Sequence, residues 1–372
     1  MSKQMTTADF DLIYRPQGLR FGDIMGTLPY LKDLGVSGVY FGPVLEAASD
    51  GWPTNNHGYD AVKEGISPWR GGAQGLERLL DAMGELGMAP IIDWVPHHVE
   101  REHVFVRGHP HLMDEYTLPD GSRHARRFFD YDHLRGLSQD PANLRKAHTT
   151  FLDMVHRRKP FVRIDHPDGM DDPAFTVELL TEAGCPGAWY EKVVTDGEPL
   201  PHHEKVLGEV GHYPNFLQTA LMHSAAGVAE LTAFWREQVG ERRSFTEVDR
   251  SYRTHQARSN FQAPIRRALA ELGAGTPPLT VEDVAAIMAT CPRYRTYLLP
   301  ERAVDDNDMA VLDAMEMPHW LREGLKRGEY GGFARHLQPV SAACFAKGRE
   351  DGTLFYYTPI PGLNEVGFSQ RL

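Results

Sequence analysis

Apolar positions along the first half of the chain switch repeatedly between two periods. Phe10–Arg15 is a short apolar run. In Asp23–Leu34, Ile24, Leu28, Leu31 and Leu34 recur at helical spacing, and Gly35 ends the segment. Val36–Leu45 predicts a strand buried on both faces. Ala73–Leu86 is helical and closes on Gly87, and Met88–Val95 is a further apolar run. A helical stretch over Asn143–Arg157 leads into Phe161–Asp165; Ala188–Lys192 and Lys205–Val210 read as two more short strands. Six strands follow from this reading. Their alternation with helices predicts a parallel sheet with helical crossovers. The second half differs. Leu217–Gln238, Phe261–Leu272 and Val281–Thr290 read as helices, and only Val340–Ala346 and Thr353–Thr358 read as extended.

Composition narrows the function classes. With 372 residues the chain has room for two to three domains or one large α/β barrel. Apolar residues make up 41% and charged residues 24%, which excludes a disordered or disulfide-scaffold protein. A formal net charge of −12 argues against a nucleic-acid partner. No apolar run reaches membrane-spanning length, and Met1–Phe10 lacks the pattern of a signal peptide. A cytoplasmic location without membrane partners is therefore expected. Cys185, Cys291 and Cys344 are too scattered for a disulfide frame. His109–His111 and His202–His203 have no third ligand at zinc-like spacing, so no metal is expected.

Chemistry-bearing residues gather where strands end. Asp93 and His98 follow the third strand, Arg163 and Asp165 end the fourth, and Glu191 sits at the fifth. One buried acid at a strand end is often structural, held by an arginine. Several in register point instead to the catalytic edge of a barrel. Arg163 and Asp165 are two residues apart on one strand, so both side chains face the same way. The cation would keep Asp165 ionised.

Three segments resemble signatures of the α-amylase superfamily, glycoside hydrolase family 13. They are Asp93-Trp94-Val95-Pro96-His97-His98, Phe161-Val162-Arg163-Ile164-Asp165-His166 and Trp189-Tyr190-Glu191-Lys192. Further stretches are most similar to the maltooligosyl trehalose synthase branch. These include Tyr14-Arg15, Val39–Leu45 with His57–Asp60, Arg127–Asp130, Arg163–Gly169, Tyr294–Tyr297, and Ala346–Asp351 followed by Leu363–Gly367.

The resemblance implies an α/β fold of the (β/α)8 TIM type, complete or cut short, with a reduced loop after the third strand. Residues 1–215 would carry barrel strands 1–6, with the loop at 99–142. Residues 216–337 would form a helical insertion, and 338–372 a barrel-closing segment. It also implies retaining chemistry at an α-glucosidic bond without a cofactor. Asp165 would be the nucleophile and Glu191 the acid and base, a pairing that needs opposite protonation of two carboxyls. Trp189 and Tyr190 could wall Glu191 and raise its pKa. Tyr59 would stack on the sugar. Asp60, Asp93, His98, Arg163, His166 and Lys192 would also serve substrate binding, and His97 would be a packing residue.

Three departures bear on this. The loop between the Asp93 and Asp165 motifs is short, which implies a more open site. No His-Asp pair follows Glu191 to supply a third carboxylate; Asp351 is the best candidate, the alternative being a binding or structural acid with no third acid present. The sequence ends soon after Leu363–Gly367, which implies a minimised relative, a fragment, or half of a split enzyme that self-associates or takes a partner chain. The leading expectation is intramolecular transfer that turns the reducing-end α-1,4 bond of a maltooligosaccharide into an α,α-1,1 bond. The alternatives are retaining hydrolysis or intermolecular transfer on a short α-glucoside, and a catalytically impaired sugar-binding protein.

Overall fold

In the computed structural model the described residues are 10, 12–16, 19–50, 59–192, 194, 198, 200, 204–210, 224–273, 275–300 and 302–349. They fall into two compact units. The first comprises residues 1–116, 125–192 and 200–210, and the second comprises 117–124, 193–199 and 211–372.

In chain order the first part of the protein runs β1 (Ile13–Tyr14), α1 (Phe21–Asp33), β2 (Gly38–Tyr40), β3 (Leu45–Ala47), β4 (Ala61–Ile66), α2 (Gly72–Glu85), β5 (Ala89–Trp94) and β6 (His98–Glu100). Then come α3 (Val104–Gly108), β7 (Glu115–Thr117), β8 (Arg123–Ala125), β9 (Leu134–Gly136), α4 (Pro141–Ala147) and α5 (Thr149–Arg158). β10 (Phe161–Ile164), α6 (Pro173–Glu182), β11 (Ala188–Tyr190) and β12 (Val206–Glu209) follow. One six-stranded sheet has the order β1-β2-β5-β10-β11-β12, and every pair in it is parallel. Each strand is added on the same side as the last, which is barrel winding and not the reversing order of a doubly wound sheet. Among the described residues the sheet supplies six strands of a (β/α) barrel, and these are the six the sequence pattern predicts.

Period-two alternation builds the interior in layers. Ile91, Phe161 and Trp189 point inward and pack with Tyr40 and Phe10. Two residues further on, Asp93 and Arg163 are paired in register on β5 and β10. Ile92, Val162, Ile164 and Tyr190 point outward into the larger core beneath the helices. α1 meets that core through Phe21, Ile24, Leu28 and Leu31. Leu34, expected on the same face, is exposed because it caps the helix after the last full turn.

Several boundaries differ from expectation. Val36–Leu45 is not one strand: Gly42, at φ +73°, turns the chain, and Leu45–Ala47 pairs antiparallel with β4. The helix expected over Asn143–Arg157 is two, separated at His148, with Asp140 accepting from the Asn143 amide at the first N-terminus.

The second unit is helical. Its elements are α7 (Ala225–Val239), α8 (Phe245–Asn260), α9 (Gln262–Ala270), α10 (Val281–Ala289), α11 (Asp306–Ala314), α12 (His319–Lys326) and α13 (Gly331–Phe345). α8 and α10 start at capping boxes, Ser244 with Glu247 and Thr280 with Asp283. Val340–Ala346, expected to be extended, is helical through Phe345 as the end of α13. Val340–Phe345 is buried throughout, so its apolar run has no period by which a strand and a fully buried helix can be told apart. The stretch Thr353–Thr358 lies outside the described residues.

Candidate active site

The parallel register of β5, β10 and β11 brings three carboxyls around one guanidinium. Arg163 Nη1 lies 2.8 Å from Asp93 Oδ1 and 3.2 Å from Asp165 Oδ1, and Nη2 lies 3.4 Å from Glu191 Oε1. Backbone bonds continue the ladder just past the strand ends. The Asp165 amide donates to the Trp94 carbonyl at 2.8 Å, and the Glu191 amide donates to the Ile164 carbonyl at 2.9 Å. Asp165 and Glu191 are thereby placed side by side at the C-terminal edge of the sheet. The Arg163 and Asp165 side chains are 10% and 9% exposed, and Glu191 is more open at 26%.

Asp93 is enclosed on every side. Its side chain has no solvent exposure. It accepts from Arg163, from the Tyr59 hydroxyl at 2.6 Å and from the Tyr40 hydroxyl. It therefore holds Arg163 in place. Lys192 is also buried and pairs with Asp168 at 3.0 Å. Tyr59 keeps a partly exposed ring beside the site, anchored by its hydroxyl. Asp60 is half-buried and accepts from Ser49 Oγ at 2.5 Å.

His98 Nε2 lies 3.0 Å from the Tyr59 carbonyl, and its ring stacks on Phe128 at 4.0 Å between centroids. His166 has a left-handed backbone, φ +44°, and packs against Phe128 and Phe129. Its amide donates to Glu191 Oε2 at 3.1 Å. His97 is buried against His166 and Phe128. Trp189 and Tyr190 do not wall Glu191. Trp189 sits one layer below in the sheet interior, and Tyr190 faces the outer core. Asp351 lies outside the described residues. Sequence reasoning did not single out Tyr40, whose role comes from the strand neighbouring β5. Phe128 was visible only as part of the Arg127–Asp130 stretch.

The electrostatics follow from burial. Burial first, and then the charge of Glu191, pushes the Asp165 carboxyl well above the usual range, while Arg163 pulls it down. Burial and the Asp93 charge push the hydroxyls of Tyr40 and Tyr59 up, so both remain donors. Burial would lower Arg163, but Asp93 and its other anionic neighbours outweigh it, and the guanidinium stays charged.

Burial also lowers the pKa of His97 and of His148, and takes His98 from 6.5 to about 3. These imidazoles bind protons less well folded than unfolded. The unfolded state takes up more protons below about pH 6.5, so stability is expected to fall as pH drops through that window. Over the full window His98 alone accounts for up to ~5 kcal/mol of this. The raised Asp165 carboxyl acts with the opposite sign and offsets part of it. Urea midpoints between roughly pH 4 and 7.5 check the slope. His98→Gln should flatten it, and an unchanged slope would reject the assignment.

Comparison with known proteins extends the picture. The family described as the alpha amylase catalytic domain matches residues 11–149. A putative maltooligosyl trehalose synthase of Mycobacterium tuberculosis is 26% identical over 95% of this chain and 57% of its own length. A cyclomaltodextrinase of a Bacillus species is 29% identical over 51% of this chain and 34% of its own. The structure of maltooligosyltrehalose synthase from Arthrobacter ramosus superposes with a TM-score of 0.78 at 23% identity, again over 95% of this chain and 57% of that one. The chain thus resembles the maltooligosyl trehalose synthase branch of the α-amylase superfamily in sequence and fold. It spans 57% of the length of that mycobacterial relative.

Proposed function

We propose that the chain carries out retaining chemistry on α-glucans, and that the reaction is transfer of a reducing-end glucose from an α-1,4 to an α,α-1,1 bond. The observation that carries this reading is the Arg163 guanidinium shared by Asp93, Asp165 and Glu191 at the strand edge. Retaining glycoside chemistry needs a nucleophilic carboxylate next to a carboxylic acid. Asp165 would attack the anomeric carbon while Glu191 protonates the departing oxygen. Donation from Arg163 to Asp165 pulls its carboxyl back toward the ionised form, against the burial and the Glu191 charge that raise it. The His166 amide on Glu191 favours the carboxylate left once Glu191 has given up its proton, the form that acts as base in the second step. Tyr59, His98 and His166 border the place where the sugar ring would sit. The names of the mycobacterial and Arthrobacter relatives support the trehalose-type product over simple hydrolysis.

A reducing-end assay on maltopentaose, with product masses, tests the reading. Falling reducing ends at unchanged mass are the expected result. Rising reducing ends with shorter products would show hydrolysis. Level reducing ends with redistributed lengths would show intermolecular transfer. Binding without turnover would leave a sugar-binding protein.

A further inference from the structure

The turn that follows the nucleophile strand is tied to the acid strand by a buried ion pair. Residues Pro167–Gly169 form a single 3₁₀ turn directly after His166. Asp168 in that turn is 3.0 Å from Lys192 Nζ, and the two side chains are 3% and 0% exposed. Lys192 is the residue after Glu191, so the pair joins the chain just past Asp165 to the chain just past Glu191. The same turn is held from another side by Arg126, which donates to the Gly169 carbonyl. Gly169 is also where His97 and His166 close in: a Cβ there would lie 2.4 Å from His166 Cδ2 and 2.9 Å from His97 Cδ2. What this packing delivers is the His166 amide, turned by its left-handed backbone onto Glu191 Oε2 at 3.1 Å.

We infer that Lys192 and Asp168 are positioning residues for the proposed reaction: their ion pair fixes the 3₁₀ turn that aims the His166 N–H at Glu191, and so sets the protonation and placement of the acid. Neither touches the sugar. The physical grounds are specific. A buried pair is retained at a desolvation cost and is by itself weak evidence for stability, so its position decides its meaning. Here it links the turns carrying the two reacting carboxyls. An N–H that donates to a carboxylate favours its charged form. Loosening the turn therefore raises the pKa of Glu191 and moves the group away from its working position.

The inference rests on the proposed function, and the experiment separates the two. Lys192→Met or Asp168→Asn alone removes one charge of the buried pair and is expected to unfold more easily. The informative variant is the charge-balanced Lys192→Met/Asp168→Asn, with Lys192→Arg as the conservative control. In the double variant both charges of the pair are removed together, so thermal stability should recover. Its kcat should still fall ~10–100-fold with KM changed less than about threefold, since a small displacement of the acid costs about that much. The basic limb of its pH profile should move upward, because Glu191 must be protonated to act as acid. Lys192→Arg should restore most of both.

Full activity and an unmoved pH limb in a stably folded double variant would overturn the inference and leave the pair merely structural. If the wild-type chain turns over no α-glucan, the proposed function fails. The clamp is then decided by carbon NMR titration of labelled glutamate carboxyls, with Glu191→Gln identifying the signal. An upward shift of that signal in the double variant supports the clamp, and an unshifted one rejects it.

Discussion

Replacing Asp165 by asparagine is expected to lower kcat on maltopentaose by roughly 10⁴-fold or more while the fold is kept. Removing one member of a catalytic unit in other enzymes costs on the order of 10⁴–10⁶ in kcat. The amide is close to isosteric. Its oxygen can still accept from Arg163 Nη1, which lies 3.2 Å from Asp165 Oδ1, so the local geometry has reason to persist. What is lost is the nucleophile. Stability should hold or rise, because a buried carboxyl whose pKa is pushed up by burial and by Glu191 gives way to a neutral group. Turnover and thermal midpoint measured on the same sample check both halves. Turnover within tenfold of wild type would show that Asp165 is not the nucleophile.

Removing the cation should damage the protein more broadly. In Arg163→Met the carboxylate of Asp93, sealed at 0% exposure, keeps two tyrosine hydroxyls but loses its counter-charge. Asp165 and Glu191 lose theirs at the same time. Breaking a buried pair by deleting one partner typically costs ~3–5 kcal/mol. In a unit of this size that is a fall in thermal midpoint on the order of 10 °C. Arg163→Lys keeps the charge but cannot reach Asp93 and Glu191 together with two nitrogens, so activity should fall even where stability partly returns. Adding Asp93→Asn to Arg163→Met should recover part of the stability and none of the activity. Urea unfolding of the three variants measures this. A loss below about 1 kcal/mol for Arg163→Met would mean that water screens the cluster.

The two experiments bear on different layers of the argument. Asp165 tests the chemistry assigned to the strand edge. Arg163 tests the buried scaffold that makes such chemistry available, and its loss would be felt even in a protein that only binds sugar.

Much of this site follows from local pattern. Period-two alternation places Phe161, Arg163 and Asp165 on one face of β10 whatever surrounds them, and the apolar runs with glycine stops mark all six sheet strands and the first two helices. Glu191 falls at the end of the fifth strand by the same reading, and the family signatures assign it a role. What the pattern could not decide is which polar side chains face substrate and which face protein. Asp93 and Lys192 lie among the site residues in the sequence, and the fold seals both side chains. Their burial depends on partners far off in sequence: Tyr40 on β2 for Asp93, and Asp168 in the turn after β10 for Lys192. The same limit hides α8. Its buried face includes Asp249 and Arg253, ion-paired at 3.7 Å, so apolar spacing alone does not mark the segment. Gly42 breaks an apparent strand because of its backbone angle, which no apolar count reports. Sequence by itself therefore determined the sheet and the row of acids at its edge, since both follow from spacing along one chain. Only the tertiary structure decided which charges are sealed, which are paired and which remain open, because burial and pairing depend on residues brought together from separate strands.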